Sequence, residues 1–315
     1  MNKKVVTFGG GTGLSTLLRG LKNFPLDISA IVSVCDDGKS TGRLRKEFKT
    51  PAVGDIRRVL VALSTTEPLF EKLLNYRFKT TSDLNGHTVG NLLLTASKEI
   101  SGSFSNGIDT IGKVLNLKGK VIPLTEQDNI TLMGKMEDGT IIEGEHRITE
   151  DSRKIIDVFY KEKPIVTPAA LQAIREADLI ILSMGSVFTS IIPNLICEEI
   201  KEEIEKSSAK IMYVCNMMTQ PGETDDFTAS EHVKLLNRYL GKRKIDAVVV
   251  NNGPISDKMK YKYETLEQKD PVVFDEEHLK AMGLDIIAND FVMIEDEMIR
   301  HNVIKLASHI FSYLI

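Results

Sequence analysis

The sequence predicts an α/β fold with a doubly wound, mainly parallel sheet, and two features carry this prediction. Short apolar runs rich in β-branched residues alternate with stretches of helical periodicity along most of the 315 residues. The first unit places a strand, a helix and a second strand before residue 35, and such a βαβ unit requires a parallel sheet covered by helices. We expect one domain over residues 1–315, with a β-rich elaboration at about residues 121–160.

The opening strand, Val5 to Phe8, leads directly into the run Gly9-Gly10-Gly11-Thr12-Gly13, and leucines at positions 14, 17, 18 and 21 follow with helical spacing. Glycines let backbone N–H groups approach an anion closely, and a helix N-terminus adds about half a positive charge. The turn therefore predicts a phosphate site, the alternative being a glycine turn required only for packing. The dinucleotide fingerprint is incomplete, since Thr16 stands in place of its third glycine.

The other elements are predicted from periodicity and from turn residues. A second strand, Ile28 to Val34, precedes a polar loop at residues 35–42 and a mostly helical region from Asp55 to about Ile111, with helix starts at Asp55 and Asn91. The Asp138-Gly139 pair predicts a β-hairpin, because both residues tolerate the positive φ of a tight turn. Strands are then predicted at residues 179–182, 210–215, 247–250 and 285–292, helices at 168–177, 194–206, 229–240 and 303–315, and a charged helix or loop at 258–269.

Composition narrows the functional classes. A net charge of −4 argues against a general nucleic-acid binder. No apolar run approaches the roughly 18 residues that a membrane span needs. The three cysteines lack the spacing of a disulfide framework or a zinc site, and no other metal-ligand spacing is present. Because the first residues run straight into a strand, no signal peptide is expected, and the sequence predicts a cytoplasmic protein.

Polar or glycine-rich loops follow five of the predicted strands. Parallel strands present their carboxyl ends at one edge of a sheet, where ligands of such folds bind. Besides the glycine turn, these loops are residues 36–42, 183–190, 216–225 and 251–253. One polar loop is ordinary for a turn, but five at one edge indicate a phosphorylated ligand with a sugar or base that needs hydrogen bonds.

Several motifs leave alternatives open. Residues 38–41 are similar to the end of a nucleoside-triphosphate loop, but Ser33 stands where its first glycine is required. Asp36 lies where an NAD enzyme carries a ribose-binding acid, the alternative being a solvated turn or a helix cap. His87, among glycines and amides, is a candidate for phosphate contact or proton transfer, or else a structural histidine. The histidines at positions 146, 232, 278, 301 and 309 are expected to be surface or packing residues.

At these loops the sequence resembles the YvcK/CofD-like family, and more closely its gluconeogenesis-factor branch. The matching stretches are GGGTG at Gly9, DDGKSTGRLR at Asp36, PAVGDIRRVLVAL at Pro51, GHTVGNLLL at Gly86, EADLIILSMGSVFTSIIPNL at Glu176 and CNMMTQPGETD at Cys215. They cover nearly the whole chain in order. Lys39, Ser183-Met184 and Asp226 depart from the usual family pattern, and Lys39 also changes the charge of the acidic loop. The resemblance implies a Rossmann-like fold.

The resemblance also implies a function. It indicates a UDP-sugar-binding regulator of carbon flow into cell-wall precursors, needed for cell shape on gluconeogenic carbon sources, with UDP-N-acetylglucosamine as the expected ligand. An enzyme of amino-sugar synthesis is the expected partner protein, and a homo-oligomer is compatible with this function. CofD members instead transfer phospholactate from a nucleotide-activated donor to a deazaflavin alcohol and use magnesium. A transferase with Asp36, Asp37 and His87 as candidate catalytic residues is therefore the first alternative, and an NAD-dependent enzyme is the second.

The expected ligand contacts lie in the strand-end loops and near the carboxyl terminus. Gly10 to Gly13 are assigned to a diphosphate, and Arg300 provides a complementary charge unless it pairs with the acidic residues 295–297. The resemblance associates this arginine and a tyrosine, for which we choose Tyr263 over Tyr261, with the sugar nucleotide. The second anion contact is assigned to Gly185, Ser186 and Ser190, and the base or sugar contact to Asn216, Thr219 and Gln220. The remaining expected contacts are Gly9, Asp37, Ser40, His87, Asn91 and Thr189.

Overall fold

The computed structural model describes residues 2–295 and 297–315, and its centre is a sheet of seven parallel strands. These strands are β1 (Lys3–Gly9), β2 (Leu26–Val32), β3 (Lys120–Pro123), β7 (Leu179–Leu182), β8 (Lys210–Val214), β9 (Ala247–Asn251) and β10 (Asp285–Asn289). Their order is β10-β9-β8-β7-β1-β2-β3. From β1 the sheet therefore extends in one direction through β2 and β3 and in the other through β7 to β10. The predicted doubly wound α/β fold is confirmed.

Helices cover both faces of this sheet. The helices are α1 (Gly11–Leu21), α2 (Lys39–Phe48), α3 (Val53–Leu63), α4 (Pro68–Asn75), α5 (Val89–Ser101), α6 (Phe104–Val114), α7 (Glu145–Glu150), α8 (Pro168–Arg175), α9 (Ile192–Leu195), α10 (Glu198–Lys206), α11 (Ala229–Asn237), α12 (Asp257–Glu267), α13 (Glu276–Ala281) and α14 (Val303–Leu314). One apolar core lies between the sheet and helices such as α1, α3 and α14, and a second lies under α8, α10 and α11. Every residue of β7 is buried, as expected for a strand covered on both faces.

Two antiparallel units accompany the main sheet. The strands β4 (Leu132–Met136), β5 (Ile141–Glu143) and β6 (Ile155–Tyr160) pair in the order β5-β4-β6, and the predicted turn at Asp138-Gly139 joins the first two. The expected elaboration is thus confirmed, but it begins later than residue 121, because β3 is the edge strand of the main sheet. A hairpin of β11 (Val292–Glu295) and β12 (Met298–His301) was not predicted.

Five predicted elements need correction. A polar loop was expected at residues 35–42, but helix α2 begins at Lys39. The segment is hydrophilic, so its composition did not indicate a helix, although Leu44 lies on the buried side of α2. Asp55 lies inside the first turn of α3 rather than at its cap, and Thr88 rather than Asn91 caps α5. The single helix expected at 194–206 is in fact two helices, α9 and α10, which are separated at residues 196 and 197. The strand expected at 285–292 ends at Asn289, and the chain then turns into β11.

Within the described ranges, no helix is both long enough and apolar enough to cross a membrane. The extent of a single domain over residues 1–315 stays a prediction.

Candidate ligand-binding cleft

A cleft of about 460 Å³ lies beyond the carboxyl ends of β1, β7 and β8. This is where the strand order diverges from β1, the position at which open α/β sheets bind their ligands. Most of the predicted contacts line it, namely Gly10, Thr12, Gly13, Gly185, Ser186, Ser190, Asn216, Thr219, Gln220, Tyr263 and Arg300. The structure thus brings loops that are separate in sequence together around one cavity.

The glycine turn forms the floor of the cleft at the start of α1. Gly10 precedes the helix with extended backbone and has no side chain to cap the first N–H groups. Gly11 has φ of +57°, the left-handed region that favours glycine. A Cβ on Gly13 would overlap the Met184 carbonyl, and one on Gly9 would overlap Ser183, so both glycines permit close packing against the loop after β7. Gly9 and Gly11 do not line the cleft.

The loop after β7 is held in shape by residues of the loop after β8. The Asn216 side chain accepts a hydrogen bond from Gly185 N at 2.8 Å and donates one to Gly185 O at 2.8 Å. The Ser186 hydroxyl lies 2.7 and 2.8 Å from the two carboxylate oxygens of Glu223 and accepts from Thr189 N at 2.9 Å. Burial raises the pKa of Glu223. Through these bonds, Asn216 and Ser186 fix the conformation of the loop after β7.

Tyr263, Lys269 and residues of β12 form the opposite wall. The Tyr263 hydroxyl accepts from Ile299 N at 2.9 Å, which attaches β12 to α12. The Arg300 guanidinium donates to the Met298 sulfur at 3.3 Å. Among the described residues it makes no ion pair with Glu295 or Glu297, and Asp296 lies outside those residues. Lys269 also lines the cleft, where it pairs with Glu267 at 2.7 Å.

His301 was expected to be a surface or packing residue, and it is buried but also lines the cleft. Burial lowers its pKa to about 4, so the imidazole is neutral near pH 7. The sequence analysis also missed Lys269 and Glu223 as parts of this site. Glu223 could have been found from its place in a strand-end loop, whereas Lys269 follows α12 and His301 lies on the unpredicted hairpin.

Four acidic residues gather behind the glycine turn. Asp36 accepts from Gly38 N at 2.9 Å and from the Thr41 hydroxyl at 2.8 Å, and Asp37 accepts from His146 N at 2.9 Å. Burial, followed by the charge of Asp36, raises the pKa of Asp55 to about 6 and that of Glu145 to about 8. Asp55 and Glu145 therefore retain protons at pH values where isolated carboxyl groups have lost them.

These carboxylates do not form a ready magnesium site. In residues 2–295 and 297–315, no group of three or more His, Cys, Asp or Glu side chains is arranged to hold a metal ion. Both oxygens of Asp36 and one of Asp37 already accept the hydrogen bonds described above. The magnesium that the resemblance implies for a transferase stays an expectation.

Ser40, His87 and Asn91 meet in a buried network outside the cleft. Ser40 Oγ lies 2.9 Å from His87 Nδ1 and accepts from the Asn91 amide at 3.1 Å. Arg57, which the sequence analysis missed, donates to Asn91 Oδ1 at 3.0 Å. Burial, with a smaller contribution from the charge of Arg43, lowers the pKa of His87. These contacts connect α2, α3 and α5, and the roles considered for His87 stay predictions.

Comparisons with known proteins extend over nearly the whole chain. Residues 5–292 match the sequence profile of the family described as 2-phospho-L-lactate transferase CofD. The gluconeogenesis factor of Bacillus subtilis (strain 168) is 50% identical over 306 residues, which cover 97% of this chain and 96% of that protein. The gluconeogenesis factor of Halalkalibacterium halodurans is 48% identical over 309 residues, with coverages of 98% and 95%. A crystal structure of a Bacillus halodurans protein has a TM-score of 0.94 at 48% identity, and the match covers 99% of this chain and 100% of that one.

Proposed function

Since the chain belongs to the YvcK/CofD-like family, within its gluconeogenesis-factor branch, we propose that it is a UDP-sugar-binding regulator. The proposed ligand is UDP-N-acetylglucosamine, and the proposed role is control of carbon flow into cell-wall precursors through an enzyme of amino-sugar synthesis. One observation carries this proposal. Gly10 and Gly13 at the start of α1 line the same cleft as Arg300 and Lys269, so a helix N-terminus and two cationic side chains border one space.

A diphosphate suits that space for electrostatic reasons. The N-cap residue of α1, Gly10, has no side chain to cap the helix, and the helix dipole places positive partial charge at its first N–H groups, of which that of Gly11 is bonded to the Asp55 carboxyl. Arg300 offers planar, paired donors from the opposite wall, and such forks bind phosphate oxygens in a bidentate manner. The volume of about 460 Å³ is within the range of small-molecule sites.

The environment of the candidate catalytic groups favours binding over turnover. His87 is engaged with Ser40 in the buried network, and Asp36 and Asp37 accept hydrogen bonds from their own loop and from α7. His301 lines the cleft, but its pKa of about 4 makes it a weak base near neutral pH. We therefore assign binding roles to the cleft residues and no reaction.

A thermal-shift panel tests the proposal. The melting temperature is measured with UDP-N-acetylglucosamine, other UDP-sugars, GDP, NAD and a deazaflavin, each with and without magnesium. Ligand at a hundredfold excess over its dissociation constant adds about 2.7 kcal/mol to the free energy of unfolding, which the scan detects. We expect UDP-N-acetylglucosamine to give the largest shift. A shift with NAD or the deazaflavin and none with any UDP-sugar would overturn the proposal.

A transferase is the second candidate, and the match to the CofD family favours it. In that case Asp37, in the acidic loop after β2, would stand near the reacting group. The two functions differ in the fate of the ligand. A regulator returns UDP-N-acetylglucosamine intact after incubation, whereas a transferase releases UDP or UMP in the presence of an acceptor at a rate that Asp37→Asn abolishes.

A further inference from the structure

An apolar groove of about 560 Å³ lies along the outer side of α4 and shares no residue with the cleft. Leu69, Leu73 and Tyr76 line it and are 73%, 48% and 55% exposed. Their spacing of i, i+4 and i+7 places the three side chains along one face of the helix. Single exposed apolar side chains are ordinary, but three large ones along one helix face form a surface suited to contact with another protein.

The inner side of α4 is attached to the rest of the protein. Leu74 is buried in the core, and Phe70, which also lines the groove, packs against the same core. Glu71 makes an ion pair with Arg19 of α1. The outer face is therefore held in place before any partner binds, and covering it requires little loss of backbone freedom.

Two side chains of opposite charge border the groove at different positions along α4. Glu67 precedes the first helical residue, and Lys72 lies in the last turn. Neither side chain makes an ion pair with the residues that the structure describes. A two-fold rotation about an axis perpendicular to α4 exchanges its ends, so a second copy would bring its Lys72 toward this Glu67 and its Glu67 toward this Lys72. The charges of the groove are therefore complementary to themselves.

Antiparallel pairing of two α4 helices also suits their backbones, and their length limits the strength of the contact. The positive end of each helix dipole lies beside the negative end of the other. A helix of 8 residues is about 12 Å long, so two of them cover less than the roughly 800 Å² per partner that a stable interface buries. The expected contact is therefore a transient dimer that forms as the protein concentration rises.

We propose that the outer face of α4 is the contact surface of a two-fold symmetric dimer of this chain. In this dimer the apolar stripes of the two copies pack against each other, and two Glu67–Lys72 pairs form between the copies. A second copy is favoured over an unrelated protein because this chain supplies both halves of the complementary pattern. The inference goes beyond the proposed function and does not depend on what the cleft binds, since groove and cleft have no residue in common.

The test is sedimentation velocity of the full chain, without ligand, from micromolar to millimolar concentrations. The wild-type protein should change from monomer to dimer across this range. Leu69→Glu and Leu73→Glu should stay monomeric, because each dimer would then have to bury two carboxylates in an apolar contact. Leu266→Glu is the matched control, since Leu266 on α12 is 74% exposed, does not line the groove and should leave dimer formation unchanged. Melting temperatures verify that every variant is folded.

Exchange of the two charges tests the two-fold arrangement itself. Glu67→Lys or Lys72→Glu alone should weaken dimer formation about tenfold, since each change replaces two opposite-charge contacts with two like-charge contacts. The double variant Glu67→Lys/Lys72→Glu should associate like the wild-type protein, because both pairs form again with their signs reversed. A wild-type monomer at every concentration, a dimer that persists in folded Leu69→Glu and Leu73→Glu, or a double variant as weak as the single ones would overturn the proposal.

Discussion

Arg300 provides the sharpest single-residue prediction. Arg300 is half-buried in the cleft wall, and its guanidinium donates to the Met298 sulfur. A charge-assisted hydrogen bond contributes about 1.5–3 kcal/mol, so Arg300→Ala should weaken UDP-N-acetylglucosamine binding by about ten- to a hundredfold. Stability should change by no more than about 0.5 kcal/mol, because no ion pair with Glu295 or Glu297 is lost. Arg300→Lys should recover only part of the affinity, since an ammonium lacks the paired donors.

Calorimetric titration of these variants at one salt concentration, beside their melting temperatures, measures both effects. Arg238→Ala is the matched control, because this exposed arginine follows the last residue of α11, does not line the cleft and makes no ion pair with the described residues. It should bind like the wild-type protein. A loss of stability in Arg300→Ala with unchanged affinity would assign Arg300 to the scaffold and refute the reasoning.

Three further perturbations test the cleft and its surroundings. Tyr263→Phe removes the acceptor of Ile299 N and should cost about 1–3 kcal/mol in denaturant unfolding, and unchanged stability would show that the hairpin does not depend on this bond. Gly13→Ala places a Cβ on the Met184 carbonyl, so calorimetry should find UDP-N-acetylglucosamine affinity reduced at least tenfold, and wild-type affinity would contradict the close packing. Glu145 has its pKa raised from 4.5 to about 8 by burial and neighbouring carboxylates, so the folded state holds a proton that the unfolded state has lost, and stability should fall as pH rises across that interval. In urea unfolding at pH 5 and pH 8, Glu145→Gln should lose less stability than the wild-type protein, and an equal loss would refute the assignment.

The fold was largely predictable because its sheet has a strong local signal. The central strands are continuous apolar runs, and the predicted bounds of Leu179–Leu182 agree with β7. The errors lie where that signal is weak. Helix α2 has few apolar residues, so composition alone indicated a loop, and the β11–β12 hairpin is short, with partly exposed residues. Short exposed strands depend on tertiary pairing that one sequence does not reveal.

The site was predictable to the extent that strand topology dictates it. Loops after β1, β7 and β8 meet because parallel strands end at one edge, and most predicted residues therefore line one cleft. Side-chain partners were not predictable. Nothing in the sequence indicated that Ser186 bonds Glu223, that Ser40 and Asn91 join His87 in a buried network, or that His301 faces the cleft. Such contacts depend on packing between elements distant in sequence.

The central claim is that the cleft binds a UDP-sugar and releases it unchanged. The most direct measurement is calorimetric titration of the wild-type protein with UDP-N-acetylglucosamine, followed by chromatography of the recovered nucleotide, with and without magnesium and an acceptor alcohol. We predict saturable binding at one site per chain and recovery of intact UDP-N-acetylglucosamine in every sample. Absence of binding at millimolar ligand, or release of UDP or UMP in proportion to the protein, would contradict this account.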